Sequence, residues 1–322
     1  MRITVTHWTR RAHVSLPERI VIGTRGSALA TTQTRWVISR LTDAHPGLDV
    51  QRQIITTTGD RRTDRPLPEI GGKGLFTAEL ESALLEGEID AAVHSMKDLP
   101  TEMPAGLCIG AIPVRETPFD ALISADGSAL KELPDGAKVG TSSRRRQAQL
   151  LRARPDLRIE SIRGNLDTRI RKLHEDDWDA IIAAAAGLAR LGRLDEATEI
   201  LTPDKMLPAV AQGALAIQTR AGDDAMAAVL SAIHDEHTAR GVGAERAFLH
   251  ALGGGCHVPI AGLAEVASGK DTLALRGLVS ALDGRREVRG SRTGDSPDEV
   301  GRGLAQELLD KGAAELLAEG DA

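Results

Sequence analysis

At 322 residues the chain is too long for one ordinary domain and suits two or three, each able to bury its own apolar core. Hydrophobic residues make up 41% and charged residues 27%, which excludes a wholly disordered chain; a formal net charge of −6, from 40 basic against 46 acidic residues, disfavours nucleic acid and anionic membranes as partners. With no Tyr, three Phe and three Trp, the core has to be aliphatic, and the stacking platforms of single-strand binders are largely missing.

Residues 1–18 are basic and lack the apolar stretch of a secretory signal, so they are expected to form a flexible N-terminal extension. No window approaches the ~18 apolar residues a membrane span needs, and a cytoplasmic protein is the expectation. From residue 19 to 219, short β-branched runs alternate with longer helical patterns, the signature of βαβ units around mainly parallel sheets. Strands are predicted over 19–23, 50–57, 89–94, 137–140, 157–162 and 179–184, with helices over 27–44, 77–86, 143–153 and 165–174 where apolar residues recur at three- and four-residue spacing. Two further apolar stretches, 107–113 and 214–219, read as strands that carry the chain into a second sheet and back. Beyond about 235 the texture changes to a helix, a glycine loop, strand-like runs near 258–266, 272–279 and 286–292, and a last helix over 296–318, a small α+β domain. The expected division is therefore 19–113 with 214–234, then 114–213, both α/β, then 235–322.

In open α/β sheets ligands gather beyond the carboxyl ends of strands, where free N–H groups at helix N-termini favour negative charge. Polar residues fall there repeatedly: Thr24-Arg25-Gly26-Ser27, Ser95-Met96-Lys97-Asp98, Thr141-Ser142-Ser143-Arg144-Arg145-Arg146, Arg163-Gly164-Asn165 with Arg169 one turn on, and a loop over 187–190 ending in Arg190. Five such loops imply a cleft for several carboxylates or phosphates, and Arg suits the task because its planar fork binds carboxylate bidentately. Singly each is weak, since Ser27, Ser143 and Asn165 are good helix N-caps without a ligand and an Arg triplet is often a solvated face. Asp98 is an acid among bases, suited to holding positive charge or exchanging a proton; an ordinary salt bridge is the bland alternative.

Only two cysteines are present, neither with the paired spacing of a zinc site, so no metal is expected. Cys108 reads as a buried, inert thiol. Cys256 ends the loop Gly253-Gly254-Gly255-Cys256, where glycines permit close backbone approach to a ligand. Gly71-Gly72-Lys73-Gly74 fails as a phosphate loop, because Leu67 and Gly74 stand where Gly and Ser or Thr are needed; the segment 58–74 reads as a mobile flap whose Lys73 contacts an anionic substrate.

In series, Ile22-Gly23-Thr24-Arg25, Gly71-Gly72-Lys73-Gly74-Leu75-Phe76, His94-Ser95-Met96-Lys97-Asp98-Leu99-Pro100, Gly140-Thr141-Ser142-Ser143, Arg163-Gly164-Asn165, Gln212-Gly213-Ala214 and Gly254-Gly255-Cys256 make the chain resemble the hydroxymethylbilane synthase (porphobilinogen deaminase) family from about residue 19 to near its end. Ala211 departs from that pattern, which has Gly there. The resemblance implies three domains, the first two similar in topology to type II periplasmic binding proteins with the active site in the cleft between them, and the third carrying the cofactor cysteine. It implies a dipyrromethane cofactor joined by thioether to Cys256, on which four porphobilinogen units are added, each losing ammonia, before the tetrapyrrole is hydrolysed off. It implies Asp98 as the catalytic carboxylate, and Arg25, Ser27, Lys73, Lys97, Ser143, Arg145, Arg146, Arg163, Arg169 and Arg190 as ligands of the pyrrole acetates and propionates. A monomer is implied as well. A non-catalytic two-lobed binder of a small polyanion explains the Arg loops equally well, but neither Cys256 nor Asp98; a nucleic-acid binder is disfavoured by charge and missing aromatics.

Overall fold

The computed structural model describes residues 15–61, 77–253, 258–267 and 272–321. The chain divides into two compact units: one runs to Arg115 and resumes over Ala214–Ala239, the other comprises Glu116–Gly213 and Arg240–Ala322.

The first unit is built on β1 (Arg19–Thr24), β2 (Asp49–Ile54), β3 (Ala91–Ser95) and β4 (Leu107–Ala111), joined after the excursion through the second unit by β10 (Leu215–Arg220). Their order in the sheet is β2-β1-β3-β10-β4. Strand β1 lies parallel to β2 and β3, whereas β10 runs antiparallel to β3 and β4. Side chains alternate across a strand, so Ile20 and Ile22 of β1 pack with Val37 and Leu41 of the helix Ala28–Ala44 and with Val229 and Leu230 of the helix Asp224–Ser231. Val21 turns to the opposite face, toward Leu80 and Leu84 of the helix Ala78–Leu85. Burying a Leu or Ile side chain in this way contributes about 1.5–3 kcal/mol, and both faces of the sheet are covered.

The second unit repeats this plan with β5 (Asp120–Ser124), β6 (Lys138–Gly140), β7 (Arg158–Glu160), β8 (Ala180–Ala184) and β9 (Glu199–Leu201) in the order β7-β6-β8-β5-β9. Here β6 is parallel to β7 and β8, while β5 is antiparallel to β8 and β9. Leu122 and Ile182 face Leu150 of the helix Arg144–Ala153; Ala121, Ile123 and Ile181 face Ile170 and Leu173 of the helix Leu166–Glu175. In both sheets the fourth position is taken by a strand next to the chain crossing: β10, on the return, in one, and β5, on entry, in the other. Both are mixed α/β sheets. The same unit contains an antiparallel sheet of β11 (Ile260–Val266), β12 (Leu273–Ser280) and β13 (Glu287–Gly294), an α+β arrangement with the helices Glu236–Ala251 and Pro297–Leu308.

The differences from the sequence reading are local. Strands β5 and β9 were not anticipated, nor was the helix Asp224–Ser231. The expected loop over 187–190 is instead part of a helix, Ala185–Arg190. The predicted last helix breaks in a π turn over Leu309–Ala313, where Gly312 takes φ +98° before Ala314–Asp321 resumes. The expected extension lies for the most part outside the described residues, as does the flap, whose first residues Thr58–Arg61 form a helical turn. Among the described residues, no helix is long and apolar enough to cross a membrane.

Candidate active site

In the first unit the site is set by strand order. Because β1 and β3 are adjacent and parallel, with Ile22 opposite Ala91, their carboxyl ends emerge side by side, and so do the loops that follow. Ser27 caps the helix after β1, its Oγ accepting from the N–H of Ala30 at 3.2 Å. After β3 the chain makes a 3₁₀ turn over Met96–Asp98. Arg25, Ser27, Gln33, His94 and Asp98 thereby line one recess, in which Gln33 Nε2 donates to Ser95 Oγ at 3.1 Å. Asp98 is exposed, and Lys97 beside it is half-buried. No ion pair ties Asp98 down among the described residues.

His94 was quoted in the sequence pattern without a role. Its side chain is buried, and Nε2 has no hydrogen-bond partner. Burial pushes its pKa down to about 4; the side chain of Gln218 on neighbouring β10 opposes the shift and the Arg25 cation reinforces it. The imidazole is therefore neutral at physiological pH. Gln218 Oε1 is likewise buried without a partner.

In the second unit the starts of two helices and the end of a third carry the predicted cations. Ser143 caps Arg144–Ala153, accepting from the N–H of Arg146 at 3.4 Å, and Asn165 caps Leu166–Glu175, accepting from that of Thr168 at 2.9 Å. Between Arg163 and Asn165, Gly164 adopts φ +113°, and a Cβ there would stand 2.5 Å from Thr168 Cγ2; this tight turn sets Arg163 just ahead of the helix. Arg169 reaches back, Nε donating to Gly164 O at 2.9 Å. Burial, with the Arg146 and Arg163 cations adding, lowers its pKa to about 10. Arg190 ends its short helix with Nη2 donating to Gly213 O at 2.6 Å, and burial likewise lowers it to about 10, against the opposing charge of Glu116. Both remain cationic near neutrality.

Arg145 and Arg146, expected to meet carboxylates of a ligand, have a carboxylate within the protein. Asp120, fully buried at the start of β5, accepts from Arg145 Nη1 at 2.7 Å and from Arg146 Nε and Nη2 at 3.0 and 2.7 Å. Leu207 O takes Arg145 Nη1 as well, and Ile182 O takes Arg146 Nη1. Arg146 is thus committed through all three nitrogens. Arg145 keeps a buried Nε without an acceptor. Gln212 adds a donor to Asp120 Oδ1 at 3.0 Å. The two guanidiniums hold the Asp120 carboxyl well below the usual carboxylate range despite its burial, and the trio retains one net positive charge. Sequence reasoning missed Asp120. The available signal was an acid opening an otherwise apolar run, Asp120-Ala121-Leu122-Ile123, which a buried strand tolerates only beside a cation.

Cys256 and Lys73 lie outside the described residues. Cys108 is half-buried, with its thiol pushed up by burial and by Asp223, as befits an inert side chain. Among the described residues no group of three or more His, Cys, Asp or Glu side chains is arranged to hold a metal ion. The cations and caps fit a carboxylate-rich cofactor in their chemistry.

Residues 20–228 match the family model of the porphobilinogen deaminase dipyromethane cofactor binding domain, and residues 239–310 match that of the porphobilinogen deaminase C-terminal domain. The chain belongs to the porphobilinogen deaminase family. Porphobilinogen deaminase of Bacillus subtilis (strain 168) is 52% identical over 299 residues, covering 92% of this chain and 95% of the relative. That of Listeria monocytogenes serotype 4a is 48% identical over 307 residues, covering 94% and 99%. Among solved structures, a YaeC-family lipoprotein of Enterococcus faecalis V583 covers 69% of this chain and 94% of its own at 18% identity and a TM-score of 0.42. The methionine-binding protein MetQ covers 69% and 92% at 16% identity and a TM-score of 0.40. Porphobilinogen deaminases are transferases of tetrapyrrole biosynthesis, and the chain is an enzyme of that class.

Proposed function

We propose that the chain assembles four porphobilinogen units head to tail on a dipyrromethane cofactor held by thioether at Cys256 and then releases hydroxymethylbilane by hydrolysis. When bound, the cofactor supplies the pyrrole end to which the first unit is joined. The observation that carries the assignment of residues is the recess in which an exposed acid, Asp98, shares walls with Arg25 and the Ser27 cap.

Each pyrrole carries an acetate and a propionate, so the substrate needs several fixed donors. Arg25, Ser27, Lys97 and Lys73 serve in the first unit; Ser143, Arg163, Arg169 and Arg190 serve in the second. The cap hydroxyls of Ser27 and Ser143 accept from backbone and keep their own hydrogen for a carboxylate. Arg145 adds its open Nε, and Arg146, each of whose nitrogens already donates within the protein, contributes charge. Loss of ammonia from porphobilinogen leaves an azafulvenium cation. Asp98 is the placed carboxylate that stabilises this cation and exchanges protons with the departing amine and the pyrrole nitrogen. Its exposure supports that role, since a group that must meet successive incoming units has to stay accessible. We place the enzyme in the cytoplasm as a monomer, with neither nucleic acid nor membrane as partner.

Incubation with porphobilinogen, followed by oxidation and detection of uroporphyrin, tests the reaction, and absence of product from correctly folded protein rejects it. Intact mass of protein made in cells competent for porphobilinogen synthesis is expected to exceed the bare polypeptide by a dipyrrole, and Cys256→Ser is expected to remove the increment. A bare mass in the wild type contradicts the cofactor reading.

A further inference from the structure

The pairing of Asp120 with two arginines goes beyond the residues that touch the substrate. Asp120 is the first residue of β5, while Arg145 and Arg146 belong to the first turn of the helix Arg144–Ala153. A cation at a helix N-terminus is disfavoured by the helix dipole, and two neighbouring cations repel each other. Both costs are offset where a carboxylate is brought to them, and Asp120 does so with three hydrogen bonds from the guanidiniums. The geometry is selective. Arg146 is gripped side-on through Nε and Nη2. Arg145 is held only at its far end, Nη1, so that its buried Nε stays without an acceptor. An N–H left open on a side chain that is 5% exposed costs stability unless something later accepts from it.

Asp120 is further bound by Gln212 Nε2, which also donates to Pro118 O at 2.8 Å. The carboxylate therefore fixes three side chains from two separate stretches of the unit, and none of them can rotate without breaking a charge-assisted bond.

We propose that Asp120 is a positioning residue for substrate binding: it clamps Arg145 by one nitrogen and Arg146 by two, so that the Arg145 Nε–H is presented, already oriented, to a substrate or cofactor carboxylate. This rests on the reading of the second unit's cations as carboxylate ligands. Pre-orientation lowers the ordering cost of binding, so losing the clamp weakens substrate capture while the chemistry at Asp98 continues.

The test is a double-mutant cycle on the holoenzyme with porphobilinogen as the probe, reading KM and kcat for Asp120→Asn, Arg145→Gln and the double variant, with near-ultraviolet circular dichroism as a fold control. Asp120→Asn is expected to raise KM about tenfold with kcat within about twofold, and the double variant to match Arg145→Gln alone, because a residue acting through Arg145 has nothing left to position. Additive losses in the double variant, or a KM for Asp120→Asn that is unchanged or lower, overturn the proposal. If Arg145→Gln itself leaves KM unchanged, it is the carboxylate-ligand reading that fails. Should Asp120→Asn not fold, Gln212→Leu removes one donor from the carboxylate without touching either guanidinium. It is expected to raise KM by about two- to threefold, and an unchanged KM then overturns the proposal.

Discussion

The two α/β sheets share one strand order, yet the loops at their carboxyl ends are finished differently. In the first unit the acid of interest, Asp98, is exposed and shares a recess with Arg25 and a neutral, half-satisfied histidine. In the second, the acid is Asp120, wholly buried and saturated by Arg145, Arg146 and Gln212. One carboxylate is left exposed; the other is bound by two cations. The comparison teaches that the type of residue does not assign its role, since Asp beside Arg occurs in both places, and that burial together with hydrogen-bond saturation does.

The largest expected effect breaks the first half of that contrast. Asp98→Asn is expected to keep the fold but lower kcat by roughly 10²–10⁴, the usual contribution of a placed acid or base; a variant that retains most of the wild-type rate in the uroporphyrin assay removes the assignment. The second half is probed by stability. Asp120→Asn leaves two buried guanidiniums short of a counter-charge, and urea unfolding is expected to show a loss of about 3–5 kcal/mol, whereas Asp98→Asn is expected to shift stability by less than about 0.5 kcal/mol, as at other exposed positions.

A pH series sharpens the contrast further. His94 titrates near 6.5 when unfolded and at about 4 when folded, so the unfolded chain binds the extra proton first as pH falls. The corresponding stability is fully present above pH 6.5 and is lost as pH drops through 4, by about 3 kcal/mol in all. Asp120, held well below the carboxylate range, loses its contribution only at more acid pH, below that window. Melting temperature between pH 7 and 4 checks this, and His94→Asn is expected to flatten the slope there. The smallest effect concerns Ala211, a non-glycine residue at φ +60° whose N–H donates to the buried Glu245 at 2.5 Å. Ala211→Gly relieves the left-handed strain and is expected to stabilise the protein by up to about 1 kcal/mol in thermal unfolding; a destabilisation shows that the strain is offset within the fold.

Much of the fold was legible because local signals agreed with the tertiary outcome. The helices Ala28–Ala44, Arg144–Ala153 and Leu166–Glu175 begin after Ser27, Ser143 and Asn165, residues whose side chains satisfy free N–H groups wherever they stand. Strands β1 and β3 could be read from short β-branched and apolar runs. β5 and β9 escaped because one begins with an acid and the other is a three-residue edge strand, and neither shows the alternation on which such reading relies. That Arg25, Ser27 and Asp98 line one recess follows from their place after adjacent strands. Arg145 and Arg146 were found as cations but not as partners of Asp120, which lies 25 residues away from Arg145.

The sequence by itself determined the family, the alternation of strands and helices, the helix starts, and the positions where cations and the cofactor cysteine must be sought, because each depends on residues close together in the chain. Only the tertiary structure decided which of those charges stay open. Whether Asp120 pairs with the two arginines or Asp98 remains accessible depends on burial and on partners distant in sequence, and the cost of an unpaired charge is set by the surroundings that folding creates.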